Sequence, residues 1–298
     1  MTRPPAEKRI SSIPSCDWGA TFPTDLEIEF SSALFAFRLI KVTASFILEK
    51  RGVLEENCFK VRPIARLLIP QFNKEVPVAK RLNEKIMALK DAISNRYLRE
   101  FAIVFYQSPD EEDIVEAYNF RLQYSQDGNV ALSIDSGIGP PEFSQNLADA
   151  KFDGLDETKR VFVDTVKKLH KCIKILDDFP EGVDASFRVS FTDEAPKDYM
   201  PDGFIESPKF YEIGPGMKTM QCGIVASGHH RVQLIAASQL AKKSIDLNVT
   251  HASMNQSILA ATPAPKKKAV KAAVNRISPY GQTNPLDQKR RNRRVEPV

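Results

Sequence analysis

The chain has 298 residues, 42% of them hydrophobic and 18 of them Phe, enough to bury one large core or two modest ones. Between residues 262 and 298 ten Lys or Arg stand against Asp287 and Glu296, a net +8; the whole-chain +4 then leaves residues 1 to 261 at −4, an acidic body with a basic appendage rather than a uniformly basic protein. The four cysteines, Cys16, Cys58, Cys172 and Cys222, form no CxxC pair, which excludes the usual zinc and disulfide-framework spacings and fits a reducing compartment.

The first stretch, MTRPPAEKRISSIP, lacks the continuous apolar segment of a signal peptide. Residues 1–25 read as an irregular arm with Trp18 and Phe22 as its anchors. From Ser31 to Lys50 apolar residues occur almost all round the helical wheel, and Arg38 and Lys41 interrupt them. A spanning helix would carry those charges at high cost, so a buried central helix is expected, ending at Arg51-Gly52. Val78, Leu82, Ile86, Leu89, Ile93 and Tyr97 recur at helical spacing and predict a second helix over 78–98. REFAIVFYQ and IVEAYNFRLQY then read as two strands, and Asp127-Gly128 turns into a third, NVALSID, to make an antiparallel meander.

SGIGPPEF reads as a loop, and Phe162, Val166, Leu169, Ile173 and Leu176 mark a third helix over 156–178. SFRVSFT, a Pro-interrupted segment, MKTMQCGIVAS and VQLIAASQL follow as further strand-like runs. From about Asp246 the hydrophobic pattern fades into a flexible tail.

Candidate chemistry is sparse. Gly137-Ile138-Gly139 has Glu142 where a dinucleotide fingerprint needs its third glycine, and Gly214-Pro215-Gly216 lacks the Lys and Ser/Thr of a phosphate loop. His229 and His230 are adjacent, so on an extended segment they face opposite sides and do not share a metal. No nucleophile elbow and no HExxH occur. No catalytic residue, metal or cofactor is assigned, and a non-enzymatic protein is expected.

Four segments carry a resemblance: LEKRGVLEENCF (48–59), RYLREFAIVFYQ (96–107), IVEAYNFRLQY (114–124) and APKDYMPDGF (195–204). Together they resemble the HORMA domain, specifically its meiotic chromosome-axis branch in a nematode-type, tail-ended layout, over about residues 25 to 245. In the last segment Ala195 stands where meiotic members have Thr. The resemblance implies an α+β fold: an antiparallel sheet backed by three helices, with a C-terminal safety belt that wraps a short peptide called a closure motif. The expected organisation is an arm over 1–25, the HORMA domain over 26–245 with its belt over 200–245, and a flexible basic tail over 246–298. Belt residues Met220, Cys222, Gly223, Ile224 and Val225 are expected to bind the peptide. An extended peptide joins a sheet edge by its backbone, and pockets beside it select its side chains.

Meiotic members of this kind carry a closure motif in the tail, expected here near 275–285 and centred on Ile277, Ser278, Pro279, Tyr280, Gly281 and Gln282. Ile277 and Tyr280 offer apolar anchors, Pro279 restricts the free chain, and Gly281 permits close backbone approach. Ser278-Pro279 and Thr262-Pro263 have the minimal form of proline-directed phosphorylation sites, and a phosphate on Ser278 would oppose burial. The resemblance further implies closure-motif peptides of axis proteins, HORMA paralogues or self, and an AAA-type remodelling ATPase as partners, in the nucleus at the meiotic chromosome axis. It also implies roles in homologue pairing, synapsis and crossover control. The rival reading is sequence-nonspecific nucleic-acid binding by the tail through Lys266, Lys267, Lys268, Arg290, Arg291, Arg293 and Arg294.

Overall fold

The computed structural model describes residues 18–107, 113–126, 129–130, 141–214, 216–241 and 272–277. A short helix, α1 (Trp18–Thr21), leads to the long helix α2 (Glu29–Lys50). Trp18 and Phe22 are both buried and pack on Phe35 and Phe162, so they tie the N-terminal segment to the body. Most of α2 is buried, as expected of a helix apolar nearly all round.

Next comes a two-stranded antiparallel hairpin, β1 (Phe59–Ile64) and β2 (Leu67–Phe72), separate from the main sheet. Its turn places Ala65 and Arg66 at φ 45° and 66°, the backbone of a tight hairpin turn built without the usual Asn-Gly. The helix expected over 78–98 is two pieces, α3 (Pro77–Met87) and α4 (Leu89–Ser94). It stops early because Arg96 takes φ 60°, while Tyr97 N donates to Ala92 O and Arg96 N to Ile93 O. That pairing is a Schellman end, and a salt bridge to Glu29 holds Arg96 in the position glycine normally fills.

Strands β3 (Leu98–Tyr106) and β4 (Ile114–Gln126) form the expected antiparallel pair, and β5 (Asn129–Val130) joins the end of β4. Residues 131–135 of the expected third strand lie outside the described residues. A helix, α5 (Pro141–Asp149), occupies part of the stretch read as loop, and α6 (Gly154–Lys174) is the third long helix. Then follow β6 (Asp184–Phe191), β7 (Ile205–Ser207), β8 (Lys218–Ala226), β9 (His230–Ser238) and β10 (Ala272–Ile277). The main sheet runs β7-β10-β6-β3-β4-β9-β8, and the pairs β7/β10, β10/β6, β6/β3, β3/β4, β4/β9 and β9/β8 are all antiparallel.

Alternation along the strands gives the sheet two faces. Phe101, Ile103 and Phe105 of β3, Tyr118, Phe120 and Leu122 of β4, and Phe187 and Val189 of β6 join the large core shared with α2, α4 and α6. The other face carries a smaller cluster of Ala102, Val104, Tyr106, Ile114, Ala117 and Ile235, closed by Tyr211. α2, α4 and α6 cover the first face; on the second, Phe143 of α5 and the extended segment around Phe210 and Tyr211 pack against the smaller cluster.

Candidate peptide-binding site

β6 donates one edge to β3; its other edge would leave a row of amides and carbonyls unpaired. That edge is filled by β10, whose register sets Ala272 opposite Ser190, Val274 opposite Arg188 and Ile277 opposite Ala185. On its outer side β10 pairs with β7, where Ala272, Ala273 and Val274 stand opposite Ser207, Glu206 and Ile205. A segment from the C-terminal tail is therefore enclosed between two strands that lie close together in sequence.

The chain leaves β6 by a fixed route. Thr192 N donates to Tyr97 O and its hydroxyl to Arg96 O. Tyr199 stacks edge-on against Tyr97 and Phe191, with ring centroids at 5.0 and 5.6 Å, and its hydroxyl donates to Asp91. Burial and the neighbouring Asp91 carboxylate push the Tyr199 phenol upward, so it stays a donor. Phe204 is buried, and Gly203 at φ 79° makes the turn that brings the chain back as β7. The residues of APKDYMPDGF thus anchor the start of the belt.

β7 and β8 lie at opposite edges of the sheet, and residues 208–214 and 216–217 belong to the stretch between them. Tyr211 is buried against the second cluster, with Phe210 beside it at a centroid distance of 4.9 Å. Arg188 Nη1, from the middle of β6, donates to Phe210 O at 2.7 Å, and Nε donates to Ser186 Oγ. Burial raises the Tyr211 phenol well above its ordinary range, Glu100 adds to the rise, and Arg121 and Arg188 partly oppose it.

At the far edge β8 and β9 form a hairpin whose turn is held by the N-terminal segment. Ser32 Oγ is 2.8 Å from both Ser227 Oγ and His230 Nδ1, Gly228 N donates to Leu26 O, and His229 Nε2 donates to Glu27 O. The two histidines take separate partners, one buried and one at the surface. The other end of β9 is tied through Ser238 Oγ to Glu116, whose carboxylate receives Arg51 Nε at 2.8 Å and Nη2 at 3.1 Å. Burial pushes the Glu116 carboxyl up, against the pull of Arg51.

This geometry corrects the expected peptide contacts. Met220, Cys222, Gly223, Ile224 and Val225 all lie in β8, at the opposite end of the sheet from β10. Cys222 and Val225 pack into the helix-side core, and a Cβ at Gly223 would come 2.1 Å from Thr165 Oγ1, so this strand is fitted to α6. The pairing partners of the tail are instead β6 and β7. Of the expected motif centre, Ile277 is the last residue of β10; Ser278, Pro279, Tyr280, Gly281 and Gln282 lie outside the described residues, as do Thr262, Lys266 to Lys268 and Arg290, Arg291, Arg293 and Arg294. The stretch 272–277, expected to be flexible tail, is a strand. Sequence reading missed it because AAVNRI carries only Val274 and Ile277 as strand-favouring residues.

With this geometry in view, comparison with known proteins is informative. The HORMA domain family profile matches residues 32–230. The chain belongs to the HORMA domain family. Its structure is similar to that of HTP-2 bound to HTP-3 motif-6, at 25% identity and a TM-score of 0.70, covering 75% of this chain and 97% of that one. It is likewise similar to C. elegans HTP-2 bound to the HIM-3 closure motif, at 25% identity and a TM-score of 0.69, covering 75% and 96%. Mouse HORMA domain-containing protein 1 is 26% identical over 187 residues, 61% of this chain and 45% of that protein. The chain thus spans less than half the length of the curated relatives it matches.

Proposed function

We propose that this protein is a non-enzymatic capture module of the meiotic chromosome axis, which binds closure-motif peptides as an added strand between β6 and β7, beneath the crossing belt. The carrying observation is β10, a tail segment paired on both sides at that position. Two structures of one similar protein, HTP-2, each solved with a bound motif, support the same ligand class. Backbone pairing supplies general affinity, while alternate positions facing the two sides of β6 supply selectivity.

Residues 272–277 are then one such ligand, and the same tail motif, extending toward Gln282, recruits the HORMA domain of another axis protein. About 30 residues separate β9 from β10, and a flexible linker of that length spans roughly 30 Å, so capture in cis competes with recruitment in trans at an effective concentration of about the mM range. Homologue pairing, synapsis and crossover control in the nucleus follow as the cellular roles of such assembly. An AAA-type ATPase pulling on the N-terminal segment would loosen the β8–β9 turn, because Leu26, Glu27 and Ser32 hold it. Nucleic-acid contact by the +8 tail is the second reading, resting on charge.

The test is fluorescence polarisation of a labelled peptide of residues 268–285 against a chain ending at residue 261, and against other HORMA domains, at two salt concentrations. Saturable, weakly salt-dependent binding is expected, with the full-length chain binding less because its own tail competes. No binding to any domain would overturn the capture reading, and steep salt dependence on added DNA would favour the second.

A further inference from the structure

β7 contributes three residue pairs to β10 and pairs with no other described strand. Three pairs at an edge are a weak grip, since short edge strands fray readily. What keeps β7 in place must be the chain on either side of it. On the leading side Tyr199 and Phe204 are docked on the body. On the trailing side stand Phe210 and Tyr211, and here one side chain from β6 reaches the belt.

We infer that Arg188 is a positioning residue that fastens the belt over whatever strand occupies the β6 edge; this rests on the strand-capture reading above. Arg188 lies midway along β6, and its backbone is opposite Ala102 of β3 on one side and Val274 of the captured strand on the other. Arg188 is 5% exposed, and its guanidinium donates through Nη1 to Phe210 O. The residue that pairs with the ligand is therefore also the one that holds the lid of the ligand site. A hydrogen bond from a charged donor in a buried setting is about twice as strong as a neutral one, and breaking it strands a charge. The bond joins main chain to side chain, so it is indifferent to the belt's sequence and depends only on Arg188. Ser186, two residues earlier on the same face of β6, accepts from Nε and so gives the guanidinium a second fixed partner.

The consequence is kinetic. Belt opening, and with it escape of the captured strand, should be set by the Arg188–Phe210 bond and by the burial of Tyr211, while pairing in the middle of the sheet is unaffected. Hydrogen exchange of the full-length chain reads both at once. In the wild type, amides of residues 272–277 should be protected. Arg188→Met, which keeps the length and removes the donor, should accelerate exchange in 272–277 and 205–207 at least ten-fold, with 114–126 changing less than two-fold. Arg188→Lys, which can still donate to Phe210 O, should restore most of the protection, a rescue that simple core filling would not give. Arg188→Gln serves as a second donor-altered variant if Arg188→Met folds poorly.

Unchanged exchange in 272–277 with the rest of the sheet intact would overturn the role of Arg188. So would equal acceleration in 114–126 for both neutral variants, or failure of Arg188→Lys to rescue. Absence of protection in 272–277 of the wild type would overturn strand capture itself, and the fastening role with it.

Discussion

The two edges of the main sheet are built in opposite ways. The β8 edge is nine residues long, Gly223 lies hard against Thr165 of α6, and its hairpin turn is hydrogen-bonded to Leu26, Glu27 and Ser32. The β7 edge is three residues long, leaves Ile205 46% exposed, and is held through β10 and the crossing segment. A sheet with one fixed and one replaceable edge can admit and release a strand without losing its core. On the proposed function, stability is concentrated where the fold must persist, and exchange where a peptide ligand would enter.

Perturbations of β4 and β9, which carry the fixed edge, should therefore be global and large. Arg51→Met leaves Glu116 buried without its guanidinium partner and should cost about 3–5 kcal/mol in urea unfolding. The Arg51→Met/Glu116→Gln double variant should recover a good part of that; a single-variant loss below about 1 kcal/mol would show that this corner does not hold β9.

Acid should act at the same edge. Burial holds His230 down at about 4 from its ordinary 6.5, so the folded protein keeps it neutral while the unfolded chain binds the proton. Stability contributed by this group is complete above about pH 6.5 and is lost as pH falls toward 4, a difference of roughly 3 kcal/mol across the window. His230→Gln should flatten the stability profile there, and an unchanged slope would remove His230 as its source.

A smaller global effect is expected at the hairpin turn. A Cβ on Gly228 would meet Leu26 O at 2.6 Å, so Gly228→Ala should cost about 2 kcal/mol by thermal melting, through the strain of overpacking. At the replaceable edge, Ile205→Ser should change global stability by less than about 0.5 kcal/mol, as exposed substitutions do. A loss as large as that of Gly228→Ala would mean that the two edges are not so different.

Much of the fold was legible because periodicity follows burial. The stripe from Phe162 to Ile173 became α6, and the alternation of Tyr118, Phe120 and Leu122 became the helix-facing side of β4. Trp18 and Phe22 were correctly picked out as anchors, being the large apolar residues of an otherwise polar arm. The β1–β2 hairpin escaped notice because Ala65 and Arg66 hold positive φ without the residues that usually signal it. The end of α4 was misjudged for the same reason, since Arg96 fills a position glycine normally marks.

The proposed site lies elsewhere in the sheet than the sequence reading put it. Resemblance pointed to a belt over 200–245 and a tail motif, and Met220, Cys222, Gly223, Ile224 and Val225 were expected to bind peptide because they lie in that span. In β8, Cys222 and Val225 pack into the helix-side core and Gly223 lies against Thr165 of α6. Arg188 was read only as part of the strand SFRVSFT, and Tyr211 and β7 gave no periodic signal, since their importance comes from a chain crossing that only the tertiary path creates.

β10 sits in one register along β6, with Ala272, Ala273 and Val274 enclosed on the other side by β7. A cysteine pair tests it most directly: Ile205→Cys with Val274→Cys, which are opposite one another, against Ile205→Cys with Arg276→Cys, which are not. Under mild oxidation, the first pair should form a disulfide within one chain and the second should not, judged by mobility on non-reducing gels and by mapping the linked peptides. Failure of the in-register pair to link, or equal linking by both pairs, would contradict the account.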